Sequence, residues 1–374
     1  MSSQPRRIAF SGPVRSSPSP RWHECITIDL LIKVLQKSVF HPFIAWLLPL
    51  CLRAQATPYS HPAFIITTIY AACLTVWVIL ATFNKRIAYG PPRYVDFEDE
   101  VVVVAGGASG LGQAIAGTYG MRGISVAVID VKNAADLPGD MRWDEFPNVE
   151  YYQCDMSNKE QVDQVAKVIE KELGAPTILI NCIATAIHGR PLLSLSEQAI
   201  EKTLKNNLYS YFYALKAFLP RMLQSPTGGT IVTVSSVLSQ LTSAGLSDYT
   251  ASKAAVTAVH KTLNAEIQIQ GASDNIKTIL VETGQIATPL FDGLDTPNKF
   301  WAPILEPVQV AREIISMIDS GNGGVVRMPA YATFVSYYAI LPVSIQRLAR
   351  YLSGIDSAIG KSKFRKSGQG PDVM

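Results

Sequence analysis

VVVVAGGASGLGQAIA, from Val101 to Ala116, joins four valines to four glycines within seven residues and then to a helical pattern. β-Branched residues favour a strand. A run apolar at every position, rather than at alternate ones, is a strand covered on both faces. Gly106, Gly107, Gly110 and Gly112 then form a turn, and Gln113 to Ala116 start a helix. A buried strand, a glycine turn and a helix N-terminus place free backbone N–H groups where a pyrophosphate can sit. Missing side chains let the phosphates approach. Gly106, Ser109, Gly110, Leu111 and Gly112 are therefore candidate dinucleotide contacts.

The pattern repeats downstream. Short apolar runs at 101–105, 124–129, 149–153, 177–181, 230–234, 276–281 and 323–327 read as strands. Helical patterns lie near 110–121, 157–173, 196–223, 248–270 and 307–319. Such βαβ repetition predicts an α/β fold with a doubly wound, parallel, seven-stranded sheet of Rossmann type over residues 95–329. The second strand ends in Asp130, where an acid would meet the adenosine ribose hydroxyls and repel a 2′-phosphate. Val131 follows rather than Arg, so NAD is preferred over NADP, although Lys132 keeps NADP open. Asp155 ends the third strand and either reaches the adenine edge or caps the next helix ahead of Ser157.

SDYTASKAAV, Ser247 to Val256, puts Tyr249 and Lys253 on one face of a helix, four residues apart. With 15 tyrosines in the chain, about one such pair is expected by accident. The surroundings decide. From Val101 to Pro329 the chain resembles the short-chain dehydrogenase/reductase family, most closely its membrane-anchored retinol dehydrogenase and 17β-hydroxysteroid dehydrogenase members. The family's Thr-Gly-x-x-x-Gly-x-Gly turn appears as Ala105 to Gly112. Its Asn-Asn-Ala-Gly appears as Asn181-Cys182-Ile183-Ala184, its helix asparagine as Asn207 (with Asn206 a rival), and its Pro-Gly-x-x-x-Thr as Thr283 to Thr288. Its serine, 13 residues before the tyrosine, is Ser236.

The resemblance implies an NAD(P)-dependent oxidoreductase. Tyr249 is then the general acid/base, Ser236 holds the substrate oxygen, Lys253 also holds the nicotinamide ribose, and Asn207 fixes a water that links Lys253 to solvent. Asn181 and Thr288 join the cofactor contacts. The lysine charge, with that of oxidised nicotinamide, is expected to favour the phenolate over a tyrosine that ordinarily titrates near 10. Ala105, Cys182 to Ala184, and Thr283 depart from the family pattern and bear on cofactor affinity. His188 reads as a lone structural histidine. The small residues after Tyr249 suit a helix–helix contact, which in the family often makes a homodimer.

The remaining sequence is more apolar. The chain of 374 residues is 48% hydrophobic, with a mean hydropathy of +0.17. Residues 1–22, rich in Ser, Pro and Arg, read as disordered. Within a membrane-anchoring region, 23–90, Ala63 to Phe83 is uncharged and long enough to cross a bilayer, and ends at Asn84-Lys85-Arg86. Phe40 to Leu52, broken by Pro42 and Pro49, reads as a re-entrant or interfacial segment or a kinked second span. Basic residues outside the pair (Arg21, Lys33, Lys37, Lys85, Arg86, Arg93) favour a hairpin with both ends cytosolic, in the endoplasmic reticulum or on lipid droplets. Ala330 to Leu352, in a C-terminal segment 330–374, mixes aromatics with Arg347 and Arg350 and reads as interfacial or as a helix packed on the domain. A net charge of +3 gives no case for nucleic acid, and the five cysteines form neither a disulfide framework nor a metal site.

A hydride-transfer core joined to membrane segments implies a hydrophobic alcohol or carbonyl substrate: a retinoid, a steroid or a long-chain lipid. The segment after Thr288, with Phe291, Phe300 and Trp301, is the expected lid and substrate wall. The alternatives are an NADPH-dependent keto-lipid reductase of lipid biosynthesis and a non-catalytic, membrane-bound nucleotide-binding scaffold.

Overall fold

A computed structural model describes residues 27–137, 146–185, 187–291, 294 and 298–357. Residues 1–26 and 358–374, with the disorder expected for the first 22 and most of the tail, lie outside the described residues, as do 292–293 and 295–297 of the expected lid.

Seven parallel strands form one sheet in the order β3-β2-β1-β4-β5-β6-β7. They are β1 (Val101–Ala105), β2 (Ser125–Asp130), β3 (Val149–Gln153), β4 (Ile178–Asn181), β5 (Gly229–Ser236), β6 (Ile276–Thr283) and β7 (Gly324–Met328). All seven strands expected from the sequence are present. Two run further than expected: β5 carries Ser236 as its last residue, and β6 extends to Thr283.

Both faces are covered, as the unbroken apolar strands require. Val102 and Val104 point into a layer with Ile115 and Tyr119 of helix α4 (Gly110–Met121) and Ile314 and Ile318 of α10 (Pro307–Asp319). Val101, Val103 and Ala105 point the other way. They meet α5 (Lys159–Glu172), α7 (Ser210–Gln224) and α9 (Ser247–Ile269) through Ile169, Phe218 and Leu263. The strand order reverses direction between β1 and β4, which opens a crevice at the carboxyl ends of the strands.

The helix expected over 196–223 is interrupted. α6 (Glu197–Leu204) passes into α7 through a wide π-turn, Lys205–Tyr209, which turns Asn207 inward. A short helix α8 (Leu238–Leu241) precedes α9.

Before the sheet come α1 (Ile28–Lys37), α2 (Pro42–Ala54) and α3 (Pro62–Tyr89). α3 has 28 residues, is apolar enough to cross a membrane and buries almost none of its surface. α1 and α2 together pass the same test as a pair bent by 52°. α2 packs along α3, tied by Trp46 Nε1 donating to Thr75 Oγ1 at 2.9 Å and Tyr70 donating to the Val39 carbonyl at 2.7 Å. At the foot of α3, Lys277 Nζ donates to the Tyr89 carbonyl at 3.0 Å. Arg93, counted in the sequence among the membrane-flanking charges, is instead buried in an ion pair with Glu100 at 2.8 Å. The segment after Ala330 is two helices, α11 (Tyr331–Tyr338) and α12 (Val343–Ser353), divided at Pro342, which lacks the N–H needed to continue a helix.

Candidate active site

The turn after β1 is shaped by its glycines. Gly106 has φ +76°, a left-handed conformation open to a residue without Cβ. A Cβ at Gly112 would lie 2.3 Å from the Gly106 carbonyl oxygen, so helix and turn touch backbone to backbone. Ser109 begins α4 without a side-chain cap, so its hydroxyl does not occupy the first amides of the helix. These N–H groups face a cavity of about 580 Å³.

Gly106, Ser109, Gly110, Leu111, Gly112, Asp130, Asp155, Tyr249, Lys253 and Thr288 all line that cavity, as the sequence predicts for a nucleotide cleft. Asp130 also holds the turn: its Oδ2 accepts from the Ala108 N–H at 3.0 Å. Asp155 faces the cavity while its Oδ1 accepts from the Ser157 N–H at 2.9 Å, so both readings of it apply; the N-cap of α5 is Asn158. Thr288 sits over the turn, where a Cβ on Gly110 would come within 2.9 Å of its Cγ2.

Asn181 is placed differently from expectation. It is buried at the end of β4, and its Oδ1 accepts from the Ile183 N–H at 3.1 Å. The wall runs instead through Cys182, Ile183, Ala184 and Thr185. The departure from the family pattern at Cys182 thus faces the cavity, and burial pushes its thiol up to about 12. The two asparagines of the π-turn divide their work. Asn206 lines the cavity, whereas Asn207 is buried, accepting from the Thr185 N–H at 2.8 Å and donating to Ser252 Oγ at 2.8 Å. The sequence leaves Asn206 as a rival to Asn207; the wall position is that of Asn206.

Ser236 at the end of β5 and Tyr249 in the first turn of α9 are both buried; Tyr249 lines the cavity, while the Ser236 hydroxyl donates to the Thr283 carbonyl at 3.4 Å and accepts from the Leu238 N–H at 3.2 Å. Burial raises the Tyr249 phenol above its ordinary value, and the Ser236 hydroxyl works against that rise. In the chain alone the effect of burial is the larger of the two. One turn on, Lys253 Nζ donates to the carbonyls of Val234 at 3.0 Å and Ile183 at 3.2 Å. Burial lowers it from 10.5 to about 8. Lys253 and Tyr249 line the same cavity.

His188 is not alone. Its Nδ1 lies 2.8 Å from Asp248 Oδ2, which also accepts from Thr203 Oγ1 at 2.9 Å. In the segment after Thr288, Phe291 is buried and lines the cavity, while Phe300 and Trp301 stack edge to face, 5.4 Å apart, on the outside. Among the described residues there is no cluster of three or more metal-ligating side chains.

A glycine turn against uncapped helix amides, a long cleft and a buried lysine fit a nicotinamide dinucleotide. Comparisons with known proteins agree. The short chain dehydrogenase family profile matches residues 100–299. The chain is 32% identical to short-chain dehydrogenase/reductase family 16C member 6 of Bos taurus over 67% of this chain and 78% of that one. It is 33% identical to epidermal retinol dehydrogenase 2 of Mus musculus, over 65% of this chain and 79% of that one. Among solved structures, a short chain dehydrogenase from Burkholderia cenocepacia in complex with NADP superimposes with a TM-score of 0.56 at 22% identity. It spans 68% of this chain and 98% of its own, a likeness of fold. The chain therefore belongs to the short-chain dehydrogenase/reductase family of NAD(P)-dependent oxidoreductases.

Proposed function

We propose that the protein is a membrane-anchored dehydrogenase that moves hydride between NAD(P) and a hydrophobic alcohol or carbonyl, with Tyr249 as the proton-transfer group. The observation that carries this is the placement of Tyr249 and Lys253, one helical turn apart, on the wall of the cleft that the glycine turn also lines, with Ser236 buried at the adjoining end of β5. The cofactor, when bound, supplies or accepts the hydride. The remaining chemistry belongs to the chain. Ser236 orients the substrate oxygen. In reduction the Tyr249 phenol gives its proton to the forming alkoxide. In oxidation the alcohol proton passes to the Tyr249 oxygen once that group has been ionised, and Lys253 offers the nearby charge that favours ionisation. Asn207 holds the Thr185 loop and Ser252 in place beside this pair. Asn181, by fastening the Ile183 amide, positions the wall rather than touching the ligand.

Asp130 on the cavity wall favours NAD, as a carboxylate there repels a 2′-phosphate. Lys132, also on the wall, favours a second reading, the NADPH-dependent reduction of a keto-lipid. The similarity to an epidermal retinol dehydrogenase and the bare apolar surface of α3 support a lipid-soluble substrate, taken up at a membrane of the endoplasmic reticulum or a lipid droplet with the catalytic domain in the cytosol. The test is turnover of the full chain in phospholipid nanodiscs with all-trans-retinol, a 17-hydroxysteroid and a long-chain alcohol, and with the matching carbonyls, using NAD(H) and NADP(H) in turn. Nucleotide binding without turnover of any of them would instead make the protein a scaffold.

A further inference from the structure

α12 is amphipathic in the wrong sense for a helix packed on a soluble domain. Its polar side faces the protein. Arg350 Nη1 donates to the Leu241 carbonyl at 2.9 Å, and Arg350 Nε donates to Asp356 Oδ2 at 3.0 Å. Asp356 in turn accepts from the Ala244 N–H at 3.2 Å. Its apolar side, Ile345, Leu348 and Leu352, is exposed. A surface helix of a globular domain turns its apolar stripe to the core. A helix that turns it outward needs an apolar medium there.

A similar arrangement occurs in α1, which meets the start of α11, the helix that leads to α12. α1 exposes Leu30, Leu31 and Val34, while its Asp29 accepts from the Ala330 N–H at 2.8 Å and its Ile28 N–H donates to the Phe300 carbonyl at 3.1 Å. These bonds join α1, the exposed Phe300–Trp301 pair and the start of α11 into one outward apolar rim. The rim is continuous with the bare α2–α3 hairpin, since α1 leads directly into α2.

We propose that this rim docks on the lipid bilayer, α12 and Trp301 seated at the level of the head groups. The docked α12 would brace the chain between Ser236 and Tyr249, to which Arg350 and Asp356 fasten it. Substrate then reaches the cleft from lipid rather than from water. The proposal rests on the reading of α3 as a membrane anchor.

The experiment reconstitutes the full chain into phosphatidylcholine vesicles carrying a trace of diazirine-labelled phosphatidylcholine, irradiates them and maps labelled peptides by mass spectrometry. Label in α3, in α12 and at Phe300–Trp301 is expected. The surface double variant Leu348→Ser/Leu352→Ser should keep its label in α3 and its melting temperature, and lose most label at α12 and Trp301. Label in α3 with none in α12 overturns the docking while leaving the anchor. No label in α3 overturns the anchor itself.

Discussion

Nδ1 of His188 meets the Asp248 carboxylate at 2.8 Å, one residue ahead of Tyr249. This contact fastens the loop after β4, whose first residues line the cavity, to the start of α9. His188→Ala leaves the buried Asp248 carboxylate with only the Thr203 hydroxyl of these two partners, and an unsatisfied buried group of this kind costs about 1–3 kcal/mol. A lower melting temperature is expected, with faster amide exchange at 187–191 and a higher KM for substrate. Unchanged exchange in that loop would refute the fastening role.

Tyr249→Phe removes the proton-transfer group and keeps the ring. Turnover should fall by about 10²–10⁴-fold, the usual worth of general acid–base catalysis, while NADH binding followed by fluorescence is kept. Survival of turnover would sink the mechanism.

The raised Tyr249 pKa sets a direction for pH dependence. The phenol is protonated across neutral pH, so carbonyl reduction should be flat there, whereas alcohol oxidation should climb as pH rises and Tyr249 ionises. Initial rates in both directions from pH 6 to about 10 check this.

Lys253, lowered to about 8 in the folded chain, titrates near 10.4 when unfolded. Between these values the unfolded chain binds more protons, so the wild type gains stability as pH rises through the window. The gain is at most about 1.4 kcal/mol for each tenfold difference in proton affinity between the folded and unfolded chain. Below about 8 both states carry the charge and its burial cost is fully present. Lys253→Met lacks that dependence. The difference in melting temperature, variant minus wild type, should fall between pH 7 and about 10, and turnover should be lost throughout.

Gly112→Ala forces a Cβ to within 2.3 Å of the Gly106 carbonyl oxygen, so the turn or α4 must move. Overpacking of this kind costs about 1–3 kcal/mol. Nucleotide affinity should fall further than stability, as calorimetry with NADH and a thermal melt would show.

The sequence alone settled the strands and the glycine turn, because each follows from local rules, β-branched runs and missing Cβ atoms; the Ser236–Tyr249–Lys253 set was implied by the family resemblance. The sequence also marked α3, since crossing a bilayer demands only length and apolarity. Tertiary structure decided what depends on burial and on distant partners. Burial, a property of neighbours remote in sequence, raised the Tyr249 phenol in the chain alone and drew Lys253 down. It turned Arg93 from a flanking charge into a buried ion pair with Glu100 and gave His188 a carboxylate 60 positions away. The inward polar face of α12 was likewise hidden, because a helix pattern shows that two faces differ but not which of them the fold turns outward.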